Sequence, residues 1–149
     1  MSDLNKPTNP KDVVGIAKVP SSTVSQLVLA EVGVSMFEGA QKYGRHNYRA
    51  MGVRGSVYFD ATKRHLDAWW EGQDIDPGSG LNHITKAITS LIVMRDAMIM
   101  GKFEDDRPPG LTPEQYEAFV TELNQKTAEL IEKYGHVKPV HYTRSNTPV

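Results

Sequence analysis

A chain of 149 residues is long enough for one domain with its own core and too short for two comfortable ones. With 39% hydrophobic and 23% charged residues it has the composition of a globular protein, and a formal net charge of -1 excludes a global field that would draw it to DNA or anionic lipid. The absence of cysteine excludes disulfides, thiolate-held zinc and cysteine nucleophiles, and fits a reducing cytoplasm.

The polar start, MSDLNKPTNPKD, has no apolar stretch of the kind a signal peptide needs, and the longest apolar run, AITSLIVM, is too short to span a bilayer. A soluble cytoplasmic domain is expected, with no membrane partner and no specific nucleic-acid binding. Pro7, Pro10 and Pro20 among polar residues predict an extended arm over residues 1–20. VPSSTVSQLVLAEVGVSMFEGAQKYG predicts the first helix, capped by Ser21, Ser22 or Thr23 and stopped by Gly44. Its valines also permit a strand, but length and caps favour the helix. RHNYRAMGVRGS reads as a basic loop. A second helix is expected from about Ser56 to Glu71, with Val57, Tyr58, Ala61, His65, Leu66 and Trp69 on one face. GQDIDPGSG is a turn. A third helix is expected from Ser79 or Gly80 to about Met100, where GKFEDDRPPG breaks it.

The fourth helix is the most readable. In LTPEQYEAFVTELNQKTAELIEKYG, Thr112 is a cap, Pro113 sits at the first helical position, and Glu114 and Glu117 favour the positive end of the helix. Phe119, Leu123, Ala128 and Leu130 are its expected buried stripe. Residues 136–149 read as a loose tail. Four helices without a convincing strand predict an all-α, four-helix bundle-like domain over residues 21–135. Apolar residues around more than one face of the first and third helices leave more surface than one small core covers, so a homo-oligomer, dimer or tetramer, is expected.

The stretch WWEGQDIDPGSGLNH carries the most distinctive chemistry. Glu71 and Asp74 have the spacing E-x-x-D and Asp76 follows closely; such carboxylates repel one another unless a cation sits among them, and hard divalent ions prefer oxygen ligands. The competing reading is a solvated acidic turn in which Asp76 and Ser79 cap the third helix. Glu31 and Glu38 lie two turns apart on one face of the first helix, either as further ligands or as a narrow polar face. Lys42, Arg45, Arg49, Arg54 and Arg64, interleaved with Tyr43, Asn47 and Tyr48, have the composition of a phosphate and nucleobase site, and equally of scattered solvated charge. His65 and His83 are either core histidines or groups aimed at the acidic turn. Trp69 and Trp70 are adjacent and diverge by about 100° around a helix, so they cannot both be buried in one place. No Walker loop, Gly-rich dinucleotide fingerprint or H-E-x-x-H motif is present.

The blocks NPKD, EGAQKYGRHNYR, VYFDATKRHLDAWWEGQDIDPGSGLNHITKA and RDAM, spread over roughly residues 9 to 98, resemble the phage-associated family described as the dATP/dGTP diphosphohydrolase N-terminal domain. That family is similar in turn to the all-α, MazG-like nucleotide pyrophosphohydrolases, which hold Mg²⁺ or Mn²⁺ with E-E-x-x-E on one helix and E-x-x-D on another. The resemblance implies hydrolysis of purine (deoxy)nucleoside triphosphates to the monophosphate and pyrophosphate, in a host cytoplasm if the protein is phage-encoded. EGQD supplies Glu71 and Asp74 as the E-x-x-D; the E-E-x-x-E does not occur as such, and Glu31 and Glu38 stand in its place. On this reading Glu38 and Glu71 are the catalytic residues, and Glu31, Glu38, Glu71, Asp74 and Asp76 hold the metal. Lys42, Asn47, Tyr48, Arg49, Arg64, Trp69 and His83 are the expected contacts to the purine nucleotide. A protein that sequesters a nucleotide without cleaving it is the alternative.

Overall fold

The computed structural model describes residues 9–146. Among them the protein is all-α in character: α1 (Pro10–Gly15), α2 (Gln26–Tyr43), α3 (Asn47–Ala50), α4 (Gly55–Trp70), α5 (His83–Ile99) and α6 (Pro113–Lys133) are joined by one short pair of strands, β1 (Val53–Arg54) and β2 (Phe103–Glu104). The chain divides after Arg107 into two compact units, with α1 to β2 in the first and α6 in the second. No helix among the described residues is long and apolar enough to cross a membrane.

Local chemistry sets the helix ends. The expected extended arm contains a helix, because Asn9 accepts the Lys11 N–H at 3.0 Å and Pro10 takes the first helical position, where its missing donor costs nothing. Residues 1–8 of that arm lie outside the described residues, as do residues 147–149 of the tail. Ser21–Thr23 form a tight 3₁₀ turn instead of capping the first long helix; Ser25 caps α2 by accepting the Val28 N–H. α5 starts at His83, later than the sequence pattern predicts. Asn82 caps it through Ile84 at 2.8 Å, while Ser79 is taken up by the preceding turn. There Asp76 accepts from the Ser79 hydroxyl at 2.6 Å and the Ser79 amide at 3.1 Å.

In the first unit α5 packs against both α4 and α2. The buried apolar side chains are small: Val32, Val53, Ala87, Val93 and Ala97. Val53, Val93 and Ala97 form a cluster onto which Met36, Tyr48, Tyr58 and Phe103 fold. Much larger apolar groups stay outside. Leu27, Val34 and Phe37 on α2 are exposed, as are Phe59, Leu66 and Trp70 on α4. α6 has the expected Thr112–Gln115 capping box and Pro113 at its first position, but Phe119, Leu123 and Leu130 are about half exposed and no residue of the helix is buried. The apolar period of α6 marks a face that its own unit does not cover.

The strands pair in parallel, Val53 with Phe103 and Arg54 with Glu104. They clamp the start of α4 to the end of α5. Asp106 completes the clamp, accepting the Ser56 amide at 2.7 Å and the Ser56 hydroxyl, which supplies the α4 N-terminus with a cap that Arg54 does not give. Gly52 enters this joint at φ +82, and a Cβ there would stand 2.8 Å from the Lys102 carbonyl oxygen. Gly52→Ala is therefore expected to lower stability by about 1–3 kcal/mol, read as a shifted midpoint in denaturant with an unchanged slope.

Candidate functional site: a cleft between α2, α3 and α5

The turn out of α2 builds one end of a cleft. Gly44, at φ +92, stops the helix, and His46 follows in the left-handed conformation (φ 59), the one non-glycine residue with positive φ among those described. This reversal brings His46, Asn47 and Tyr48 back toward Tyr43. The imidazole of His46 and the phenol of Tyr48 meet edge-on with ring centres 6.2 Å apart. Arg49 locks the turn to α5 with a two-pronged bond to Asp96, at 2.8 and 2.6 Å, which holds the Asp96 carboxyl below its usual range.

The cleft encloses about 420 Å³, within the range of small-molecule sites. Its α2 wall is made by Gly33, Ser35, Met36, Gly39 and Ala40. The opposite wall is one face of α5, Lys86, Thr89, Ser90 and Val93, at spacing i, i+3, i+4, i+7. Aromatic rings, Phe37, Tyr43, Tyr48 and Tyr58, complete it, and burial raises the pKa of the Tyr58 hydroxyl.

Positive charge enters through a three-residue relay. Glu38 receives Lys42 on one carboxylate oxygen and Lys86 on the other, each at 2.5 Å. Lys42, one turn along α2, lowers the Glu38 pKa most and Lys86 adds to it, against the opposing effect of burial. Two ammonium groups share one carboxylate, so the group carries a net charge of +1, and Lys86 presents it to the cleft. Such a site suits an anion.

The expected site residues fall into separate places. Asn47 and Tyr48 line the cleft. Lys42 stands behind its wall on Glu38, and Arg49 is engaged by Asp96. Arg64 and Trp69 sit on α4 and do not line the cleft. His83 is buried, with its Nε2 hydrogen-bonded to Gln73 Oε1 at 2.9 Å and its Nδ1 to His65 Nδ1, also at 2.9 Å. Burial first, and His83 second, lower the His65 pKa. Ser35, Lys86, Thr89 and Ser90 are not among the residues that the sequence pattern singles out. For Lys86, Thr89 and Ser90 the signal is their spacing of three and four along α5; for Ser35 it is a lone hydroxyl among the apolar residues of α2.

The five carboxylates expected to hold metal are in two groups. Glu31 and Glu38 lie on α2, where Glu31 accepts from the Thr85 hydroxyl at 3.2 Å. Glu71 ends α4, Asp74 is exposed in the connection that follows, and Asp76 is occupied by Ser79 and Gly78. Among the described residues no three acidic or histidine side chains gather to hold an ion. The donor set of a single chain, so arranged, does not make a closed metal site.

The family described as "dATP/dGTP diphosphohydrolase, N-terminal" matches residues 8–107. The chain belongs to this family. The match ends at Arg107, where the first compact unit also ends, so the whole cleft lies within family sequence and α6 lies beyond it. No curated protein and no solved structure matches the chain. The family description points to a diphosphohydrolase of purine deoxynucleotides.

The relay makes a pH prediction. Because the two lysines hold the Glu38 carboxyl below its ordinary value of 4.5, its ion pairs stabilise the fold fully above that value and the contribution is lost as pH falls through the lower, folded value. Glu38→Gln is expected to melt below wild type at pH 7, with the gap closing in acid below about pH 4, in a pH series of thermal melts.

Proposed function

We propose that the protein binds a purine deoxynucleoside triphosphate in the α2–α3–α5 cleft and hydrolyses it, with Mg²⁺ or Mn²⁺, to the monophosphate and pyrophosphate. Water adds to the α-phosphorus, the bond to the bridging α–β oxygen breaks, and pyrophosphate leaves. The observation that carries the reading is the conjunction of the family match with a cleft of nucleotide size, aromatic on its walls and positive at Lys86. Lys86 would exchange Glu38 for a phosphate oxygen, and Asn47 and Tyr48 would contact sugar or base.

Glu31, Glu38, Glu71, Asp74 and Asp76 are the proposed donors for the divalent ion, which when bound would offset the triphosphate charge. As these carboxylates stand apart in one chain, a complete ion site would need α2 and the α4–α5 connection brought closer, by substrate or by a second copy. Association of copies belongs to the same proposal, since Leu27, Val34 and Phe37 leave an apolar stripe along α2 uncovered. Sedimentation at micromolar concentration is expected to show a dimer or tetramer; a strict monomer would remove this part.

The separation of the carboxylates also favours a second reading, capture of a nucleotide without cleavage. Incubation of pure protein with the four dNTPs and four NTPs, with Mg²⁺ or Mn²⁺, separates the two. Pyrophosphate release from dATP and dGTP is expected, lost in Glu71→Gln and reduced at least tenfold in Lys86→Ala, the loss of one charged hydrogen bond to phosphate. Tight binding that survives EDTA and returns the nucleotide intact would establish capture instead.

A further inference from the structure

Two features of the α2 wall have no explanation inside the chain. Gly33 and Gly39 sit within the helix, where glycine costs roughly 0.5–1 kcal/mol relative to alanine, yet a Cβ on either would have no atom within 4 Å. No packing demand excludes a side chain. Both line the cleft, so what their missing side chains leave is room within it. Between them Ser35 is 2% exposed, and its hydroxyl is buried without a hydrogen-bond partner. An unpaired buried hydroxyl is costly, and a helical serine ordinarily has a backbone carbonyl to use. Ser35 is also a lining residue of the cleft, which places this unpaired hydroxyl at its wall.

We infer that the α2 wall at Gly39 seats the purine ring, and that the Ser35 hydroxyl, one turn back on the same face, reads the substituent at purine position 6. This rests on the proposed function and specifies its substrate. A flat heteroaromatic ring is accommodated by a lowered wall with aromatic surface nearby; Gly39, on the Ser35 face of α2, lowers the wall, and Tyr43, Tyr48 and Tyr58 supply rings in the same cleft. A hydroxyl is both donor and acceptor and turns to suit its partner. It accepts from the 6-amino group of adenine and donates to the 6-oxo group of guanine. A fixed amide or carboxylate would favour one of the two; a serine serves both, in keeping with a family described by dATP and dGTP together.

Calorimetry with α,β-methylene analogues of dATP, dGTP and the 6-unsubstituted purine deoxynucleoside triphosphate, which cannot be cleaved at the α–β bridge, tests the assignment with Mg²⁺ present. Ser35→Ala is expected to weaken the dATP and dGTP analogues about fivefold each, as for one neutral hydrogen bond, and to leave the 6-unsubstituted analogue unchanged. The ligand-free variant should melt no lower than wild type, since an unpaired hydroxyl is removed. Gly39→Leu should fold with undiminished helix content and bind none of the three. Equal losses across the three analogues in Ser35→Ala, or wild-type binding by Gly39→Leu, would overturn the inference while the proposed function stands. Wild-type protein that binds no analogue and cleaves no dNTP would overturn both.

Discussion

The first unit depends on how closely α5 approaches α2 and α4. On the three helices the buried positions are His83, Thr85, Ala87, Thr89, Val93 and Ala97 on α5, Val32 and Ser35 on α2 and Gly55 and Thr62 on α4, all small apart from His83. Small side chains let helix axes come near, but they bury little apolar area each and so supply little of the hydrophobic stabilisation. The remainder is made up by specific polar ties that would be minor in a protein with a large core. Arg49 to Asp96 fixes α3, Lys86 to Glu38 joins α5 to α2, and Asp106 closes the α4 N-terminus. The cleft opens between the same two helices, beside Gly39 and Ala40 on α2 and Thr89 and Ser90 on α5.

Elements with strong local chemistry are legible in the amino-acid order alone. α6 begins where Thr112 and Pro113 say it should, and α4 occupies the span its apolar spacing outlines. Residues with two possible uses mislead. Ser79 is available as a helix cap, but the Asp76 carboxylate claims its hydroxyl and amide, so Asn82 starts α5. Pro10 signals the end of regular structure in isolation and its beginning once Asn9 precedes it. The strand pair leaves no sequence pattern, because each strand has two residues and their partners are about fifty positions apart.

The candidate site is legible in part for the same reason. Asn47 and Tyr48 stand out because aromatic and polar residues among arginines are conspicuous, whereas Ser35 and Lys86 are conspicuous only once α2 and α5 face each other. The arginines divide, since Arg45 lines the cleft while Arg49 and Arg54 face carboxylates. Charge counts in sequence cannot tell a guanidinium free to meet phosphate from one already engaged, and Arg49 is engaged by a carboxylate 47 positions away. The acidic stretch after the double tryptophan is only partly engaged by its own turn. Asp76 is consumed by its own turn, while Glu71 and Asp74 make no hydrogen bond through their side chains among the described residues.

The paired imidazoles between α4 and α5 do more than fill a helix seam. His65 meets His83 at 2.9 Å, and His83 reaches on to Gln73 at 2.9 Å, in the connection that also carries Glu71 and Asp74. His83 is buried at the first position of α5. The acidic connection is thus moored to the seam rather than hanging free of it.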